Sequence, residues 1–396
     1  MRGETIDHGI VLFFPAGGSY TGESVLELHG HGGPAVLAAV LGACIEAGAR
    51  MAEAGEFTKR AFLSGRLDLA QAEAVSDLIN AGSEAAARSA MRSLSGEFSH
   101  RVGGIVAALT TVRALLEAML DFPEEDVDPF HLTDVQRRLA EIREDVRELI
   151  EQGTQGRLLR SGIHIVLAGS PNTGKSSLLN RLAGDEIAIV TSLPGTTRDV
   201  LREQMEIDGV PVNVLDTAGL RDSGDEIELI GMARTISEVK RADLVLEVFD
   251  VSKGMSQAST LEAGALGEAG VPVLPVYNKM DLLEEARIDV LSHDSVQDRV
   301  LVSARTGEGV AGLRQAILRA VGWGGSEQTV FMARERHLAA LVKVRDHLAA
   351  AGDRNEDWVL LAEDLRLAQA VLGEITGRVT ADDLLGEIFS RFCIGK

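Results

Sequence analysis

Ile163-His164-Ile165-Val166-Leu167-Ala168-Gly169-Ser170-Pro171-Asn172-Thr173-Gly174-Lys175-Ser176-Ser177-Leu178-Leu179-Asn180-Arg181-Leu182 decides the fold of the central part of this chain. Its first six residues are an apolar run of strand type, and the stretch from Ser177 continues as an amphipathic helix. Between them lies a loop with glycine at both ends, followed by Lys-Ser. In a strand, loop, helix arrangement of this kind, backbone N–H groups and the positive end of the helix dipole converge on phosphate oxygens. Lys175 is expected to bridge the β- and γ-phosphates, and the Ser176 hydroxyl to hold Mg²⁺. A Gly-rich turn before a helix also arises without such a role, so the loop needs companions elsewhere in the chain.

Gly195-Thr196-Thr197, Asp216-Thr217-Ala218-Gly219 and Asn278-Lys279-Met280-Asp281 come after it in that order. Val212 to Leu215 is expected to be a buried strand delivering Asp216 beside the metal, where a carboxylate orders a Mg²⁺-bound water. Gly219 then offers its N–H to the γ-phosphate. Thr197, after Pro194-Gly195, lies on a segment whose hydroxyl reaches Mg²⁺ only when the third phosphate is present. Beyond strands at Leu244 to Phe249 and Val273 to Tyr277, Asn278 and Asp281 are expected to read the base. A carboxylate accepts from the ring N–H and exocyclic amine of guanine, whereas adenine would leave it unpaired. Val300 to Ala304 gives a last strand whose end covers the base oxygen with N–H groups. The motif residues expected to contact GTP are Asn172, Thr173, Gly174, Lys175, Ser176 and Ser177; Gly195, Thr196 and Thr197; Asp216, Thr217, Ala218 and Gly219; Asn278, Lys279 and Asp281; and Ser303, Ala304 and Arg305.

Hydrolysis needs a group that orients water. The position after Gly219 is Leu220, whose side chain neither donates nor accepts a hydrogen bond. Asp222, Asp225, Glu226 and Glu228 are the nearby acids. Spacing does not choose among them, and an acidic loop of this kind is also what a solvated surface segment looks like.

A chain of 396 residues, 45% hydrophobic, has the length of about two or three globular domains. No uninterrupted apolar run approaches the roughly 18–20 residues of a membrane span, and Met1 to Asp7 lacks the apolar core of a signal peptide, so a cytoplasmic protein without a membrane partner is expected. Cys44 and Cys393, the two cysteines, exclude a disulfide framework and a cysteine-based zinc cluster. The formal net charge of −21 argues against broad non-specific nucleic-acid binding, and no DNA partner is expected; RNA would need a local basic patch.

Both flanks of the nucleotide module read as helical. Ile105, Leu109, Val112, Leu116 and Met119 recur at three and four residues, as do Val135, Leu139, Ile142, Val146 and Leu149. Thr133 with Gln136 resembles a capping box opening the second series, and Asp121 to Asp126 breaks the chain before it. Helical patterning resumes at Leu338, Leu341, Arg345 and Leu348, then from Trp358 to Leu372 and Asp383 to Phe389. One helical domain interrupted by the nucleotide module is expected, with hinges near Gly153-Thr154-Gln155-Gly156 and Gly322-Trp323-Gly324-Gly325. The first segment is α/β or α+β: strands at Ile10 to Phe14 and Val25 to Leu28, then His29-Gly30-His31-Gly32-Gly33-Pro34 as a turn into a helix at Ala35 to Ala47. The His-x-His pair lacks further ligands at metal spacing and is assigned to the turn.

Gly169-Ser170-Pro171-Asn172, Gly195-Thr196-Thr197-Arg198-Asp199, Asp216-Thr217-Ala218-Gly219-Leu220-Arg221, Tyr20-Thr21-Gly22-Glu23 with Glu27-Leu28-His29-Gly30-His31-Gly32-Gly33, and the terminal Phe392-Cys393-Ile394-Gly395-Lys396 resemble the MnmE (TrmE) family of tRNA modification GTPases nearly end to end. The loop motifs are shared with Era- and EngA-type GTPases, but the terminal Cys-x-Gly-Lys is more specific. The resemblance implies a multidomain fold, α/β plus all-α. Residues 1–66 are a partial folate-binding-like and dimerisation domain, 67–158 and 324–396 the two parts of a helical domain, and 159–323 an inserted P-loop (Ras-like) GTPase domain. It implies a homodimer working in a heterotetramer with the flavoprotein MnmG on the wobble uridine of certain tRNAs, giving an aminomethyl-type group at carbon five.

The resemblance further implies GTP contacts from Thr191, Ser192, Leu193 and Pro194 and a K⁺ site from Asn172, Thr191, Leu193 and Thr196, with Glu228 orienting the attacking water. It places a one-carbon tetrahydrofolate derivative on Glu27, Arg66 and Lys396, Arg66 standing where lysine is often found. Cys393 is a thiol near the transferred carbon or a bystander. The resemblance begins after the family's opening strands. Either the start therefore lies upstream, or the folate pocket lacks a basic contact and binding is impaired. The alternatives are a ribosome-assembly GTPase of Era or EngA type and a plain regulatory switch. The first would carry a KH domain or a second GTPase module, which this chain lacks, and the second has no use for the terminal motif or the N-terminal Gly-rich signature.

Overall fold

A computed structural model describes residues 5–121, 129–184, 202–216, 241–254, 270–283, 299–325, 331–353, 357–378, 382–390 and 392. In chain order the strands are β1 (Ile10–Phe14), β2 (Val25–His29), β3 (Ile163–Ala168), β4 (Arg202–Ile207), β5 (Val210–Asp216), β6 (Leu244–Asp250), β7 (Val273–Asn278) and β8 (Val300–Leu301). The helices are α1 (Pro34–Glu46), α2 (Glu56–Leu63), α3 (Leu69–Ile79), α4 (Glu84–Leu94), α5 (Glu97–Asp121), α6 (Pro129–Ser161), α7 (Lys175–Ala183), α8 (Val310–Ala320), α9 (Glu335–Asp353), α10 (Trp358–Thr376) and α11 (Asp382–Ser390). The chain forms two compact units, one of Met1–Asn80, Ala90–Ile150 and Arg334–Lys396, the other of Ala81–Ser89 and Glu151–Ala333.

The second unit is built on a sheet of order β4-β5-β3-β6-β7-β8. All neighbours are parallel except the β4–β5 pair. Parallel strands covered on both faces need continuous apolar sequence, and β3 and β6 have it: Ile163, Ile165, Val166, Leu167, Leu244, Val245, Leu246 and Val248 are buried. Leu178 and Leu182 of α7, with Leu313 and Ile317 of α8, complete that core. Sequence periodicity did not single out β4. The signal for it is Asp208-Gly209, both at positive φ (48° and 82°), which forms the two-residue turn of a hairpin into β5. Because β3 lies between β5 and β6, the loop after β3 opens at the crevice where the strand order reverses.

Two local expectations meet a continuous helix. Gly153 to Gly156 lies within α6, close to the boundary of the two units at Ile150 and Glu151. A Cβ on Gly156 would lie 1.8 Å from the Phe331 carbonyl oxygen, so that glycine serves close packing rather than a break. Thr133 also lies inside α6, which begins at Pro129, so the side-chain pattern Thr133/Gln136 caps nothing.

In the first unit, most of the periodic positions read from the sequence are buried, but Arg345 is exposed and Met119 and Leu338 are half-buried, Val344 taking the inward place expected of Arg345 on α9. Ile105, Leu109, Val112 and Leu116 of α5 and Val135, Leu139, Ile142, Val146 and Leu149 of α6 are buried. Leu341, Val344 and Leu348 of α9 and Leu361, Leu365, Ala368 and Leu372 of α10 are buried with them. α10 packs along α9 and α5. Arg143 of α6 ties to α9 by donating to the Leu348 carbonyl, and Arg113 of α5 to α10 through the Gln369 amide at 2.7 Å. By length and composition, α5 is the one described helix long and apolar enough to cross a membrane. Its buried residues nevertheless form one stripe toward α10, and Arg101 on it pairs with Glu148, the pattern of a core helix.

A polar knot sits inside this unit. Glu73, 1% exposed, receives Arg336 through two bonds (2.8 and 2.7 Å), and His337 Nε2 lies 2.9 Å away. Arg334 pairs with Asp77 at 2.8 Å. The His337 ring lies 5.3 Å from that of Phe98.

The N-terminal hairpin is antiparallel, Ile10 facing His29. Its side chains are largely open: Ile10, Val11, Phe13, Leu26 and Leu28 are exposed, and α1 has no buried residue.

Candidate nucleotide site

The loop from Gly169 to Gly174 is shaped by what its glycines avoid. Gly169 has φ of 141°, and a Cβ there would lie 2.4 Å from the Val248 carbonyl oxygen, so only glycine lets the chain leave β3 across β6. Gly174 has φ of 92°, and a Cβ would meet the Asn278 side-chain nitrogen at 2.3 Å. Asn172 takes the left-handed conformation at φ 62°. Lys175 opens α7 and is buried; its Nζ donates to the carbonyls of Gly169 (2.8 Å) and Ser170 (3.0 Å). The ammonium is thus held over the loop itself, at the place where phosphate oxygens are stronger acceptors than carbonyls. Ser176 and Ser177 come next, on the exposed side of the first turn of α7.

Two other strand ends converge on this loop. Asn278, buried at the end of β7, donates from Nδ2 to the Thr173 carbonyl at 2.9 Å and accepts at Oδ1 from the Ala304 N–H at 2.9 Å. Its side chain thereby fastens the phosphate-loop backbone to the segment after β8. Lys279, at φ 69°, donates to the Asn172 carbonyl and to Asp250 Oδ2, both at 2.7 Å. Burial pushes the Asp250 carboxyl up, but Lys279 and the Ser252 hydroxyl and N–H together hold it below its usual value. Asp281 has both oxygens engaged: Oδ1 accepts from the Ser303 hydroxyl at 2.7 Å and Oδ2 lies 3.1 Å from Arg305 Nη2. Arg181 of α7 donates to the carbonyls of Ala304 and Arg305, fixing that segment from below. On the opposite side, Asp216 ends β5 in register with Leu167 of β3, one residue short of the strand end.

The structure therefore brings together Asn172, Thr173, Gly174, Lys175, Asn278, Lys279, Asp281, Ser303, Ala304 and Arg305. Thr191, Ser192, Leu193, Pro194, Gly195, Thr196 and Thr197, then Thr217, Ala218, Gly219 and Glu228, and the terminal Cys393 and Lys396 lie outside the described residues. Glu27 and Arg66 belong to the first unit. Glu27 contacts His29 at 3.0 Å, and Arg66 spends its fork on the carbonyls of Gly17 and Ser19. His31 contacts Asp7 at 2.8 Å. Sequence reading missed Asp250 and Arg181. The signal for Asp250 was an acid closing an apolar strand; Arg181 looked like any cation in a last helical turn.

Such a pocket has a glycine-shaped anion cradle, a buried cation at Lys175 and a carboxylate at Asp281, a set of groups that suits a nucleotide. Comparison with known proteins covers the whole chain. The MnmE helical domain family matches residues 69–393 and the GTP-binding protein TrmE N-terminus family residues 1–66. The tRNA modification GTPase MnmE of Paraburkholderia xenovorans (strain LB400) is 53% identical over 403 residues, covering 100% of this chain and 87% of that protein. The protein of the same name from Azoarcus sp. (strain BH72) is 54% identical over 394 residues, with the same coverage. Among solved structures, the FeoB G-domain of Methanococcus jannaschii aligns with 40% of this chain and 97% of its own, at 25% identity and a TM-score of 0.28.

Proposed function

Because this chain belongs to the MnmE family of tRNA modification GTPases, we propose that it binds and hydrolyses GTP in the modification of the wobble uridine of tRNA. The observation that carries this reading is Asn278: one buried amide joins Thr173 of the phosphate loop to Ala304 of the base-side segment, making a single preformed pocket. Lys175 exchanges the loop carbonyls for β- and γ-phosphate oxygens, and Asp281 accepts from the guanine edge. Ser176 and Thr197 would hold Mg²⁺, with Asp216 assisting and the Gly219 N–H toward the γ-phosphate; the exposed Ser176 hydroxyl next to Lys175 suits that role. Bound there, the ion would supply positive charge for the transferring phosphoryl group.

With Leu220 unable to position water, Glu228 takes that task, and Asn172, Thr191, Leu193 and Thr196 would hold a K⁺ ion that would supply the positive charge an arginine finger gives elsewhere. Hydrolysis is then expected to run about tenfold or more faster in potassium than in sodium chloride at equal ionic strength. Equal rates would remove the cation site.

We assign residues 159–323 to the GTPase domain, 67–158 and 324–396 to the helical domain and 1–66 to the N-terminal domain. A homodimer is supported by the exposed apolar side chains of β1, β2 and α1. MnmG is the proposed flavoprotein partner. A tetrahydrofolate derivative would be held by Glu27, Arg66 and Lys396, with Cys393 near the transferred carbon; it would have to displace the present partners of Glu27 and Arg66. The decisive experiment is nucleoside analysis of tRNA after deletion of the gene. Loss of the carbon-five aminomethyl-type group at the wobble position is expected, and an unchanged profile would overturn the assignment.

A further inference from the structure

Asp250 closes β6 beside Asn278, its partner in the β6–β7 register, and Lys279 follows Asn278 in the chain. The sheet therefore sets a carboxylate next to an ammonium. The Asp250 side chain is only 5% exposed, and its two oxygens serve different partners. Oδ1 accepts from the Ser252 hydroxyl at 2.6 Å and the Ser252 N–H at 3.1 Å, closing the turn after β6, while Oδ2 accepts from Lys279 Nζ at 2.7 Å. The same ammonium donates to the Asn172 carbonyl, also at 2.7 Å. Asn172 and Lys279 both stand at positive φ, 62° and 69°, which L side chains adopt only where their surroundings hold them. One ammonium thus ties the corner of the phosphate loop to the start of the base-side turn. A lysine is a point charge on a flexible stem and does not fix such a spacing by itself. The buried carboxylate gives it a direction.

We infer that Asp250 is a positioning residue of the nucleotide site: through Lys279 it holds the phosphate-loop corner at Asn172 against the base-side turn, so that the phosphate cradle and the base wall keep one spacing. Asp250 acts through Lys279 rather than on the ligand. A pocket already in shape loses less on binding than one that must be ordered at that moment, so this carboxylate, outside the loop motifs, sets part of the affinity. Ser252 makes the role separable from that of the turn. In Asp250→Asn the two Ser252 donors keep the amide oxygen, which leaves the amide nitrogen facing the Lys279 ammonium, donor against donor. The turn stays and the link to Lys279 breaks.

This role rests on the guanine-nucleotide reading above, and the test separates the two. Binding of a fluorescent N-methylanthraniloyl-GDP to the full chain with Mg²⁺ is measured for the wild type, Asp250→Asn, Lys279→Met and the double variant. Asp250→Asn is expected to bind about tenfold more weakly, the loss lying in a faster dissociation rate. In the Lys279→Met background the same substitution should cost less than about twofold, since the group through which Asp250 acts is gone. A carboxylate that served only the fold would lower the melting temperature and give additive losses of affinity, so the non-additivity is the signature. Should the unpaired ammonium keep Asp250→Asn from folding, Lys279→Met and the double variant, which carry no such ammonium, still decide: equal affinities are expected. Undiminished affinity in Asp250→Asn, or a further tenfold loss in the double variant, would overturn the positioning role. Failure of the wild type to bind the probe at all would instead overturn the guanine-nucleotide reading.

Discussion

Asp281→Asn is expected to weaken GTP binding by about 30-fold or more, since losing one partner of a desolvated charge-assisted pair removes roughly 2–5 kcal/mol. On the proposed reading the carboxylate accepts two hydrogen bonds from guanine, whereas the amide has one acceptor and turns donors toward donors. The same substitution should invert preference toward xanthosine triphosphate, whose carbonyl at the second ring carbon accepts where the guanine amine donated. Titration calorimetry with the two nucleotides measures both effects. Undiminished affinity for GTP with no gain for the xanthine nucleotide would mean that Asp281 does not face the base. Ser303, which donates to Asp281 Oδ1, offers an amide oxygen the same hydrogen bond, so the pocket should remain folded in the variant.

Glu73→Ala is expected to destabilise the first unit by about 3–5 kcal/mol, because it strands buried cations rather than deleting a surface pair. Glu73 answers Arg336 through two bonds and stands beside His337, and both lie against Arg334. Glu73→Gln, which keeps the shape, should recover part of the loss. Hydrogen exchange of the α3 and α9 amides measures it better than a single melting curve, since a chain of two units need not unfold in one step.

The knot also sets a pH dependence. Burial pushes the Glu73 carboxyl up, but His337 and Arg336 outweigh it and hold the group well below the usual carboxylate range. A depressed folded value contributes stability above the unfolded value, about 4.3, and loses it as pH falls through and below that point. Burial depresses His337 as well, so it stays neutral in the folded unit while the unfolded chain takes up a proton below about 6.5. Stability of the unit should therefore decline from about pH 7 downward, first through His337 and then through Glu73. A flat profile between pH 7 and 4 in the wild type would refute the coupling. In Glu73→Ala the lower part of the decline should vanish.

The sequence was legible wherever the chemistry is local. The phosphate loop is contiguous, its glycines mark the close approaches to Val248 and Asn278, and the base-reading residues sit together at the end of one strand. The helical faces were legible for the same reason: a repeat of three and four residues is set by helix geometry alone, and Leu109, Val112, Ile142 and Val146 are buried as that repeat requires. The Asp208-Gly209 hairpin was within reach of the same reasoning and was passed over.

Other features depend on residues that meet only after folding. Gly153 to Gly156 has the composition of a break, yet it lies within a helix, and glycine is required at Gly156 because Phe331, far along the chain, leaves no room there for a side chain. Arg336 and Glu73 are 263 residues apart, and no spacing rule relates them. By itself the sequence located the phosphate loop and the alternation of helical and sheet-based segments, since each arises from short-range geometry. Only the tertiary structure decided which buried charges neutralise one another. Those pairings are chosen by the removal of water from groups brought together by packing, not by their order along the chain.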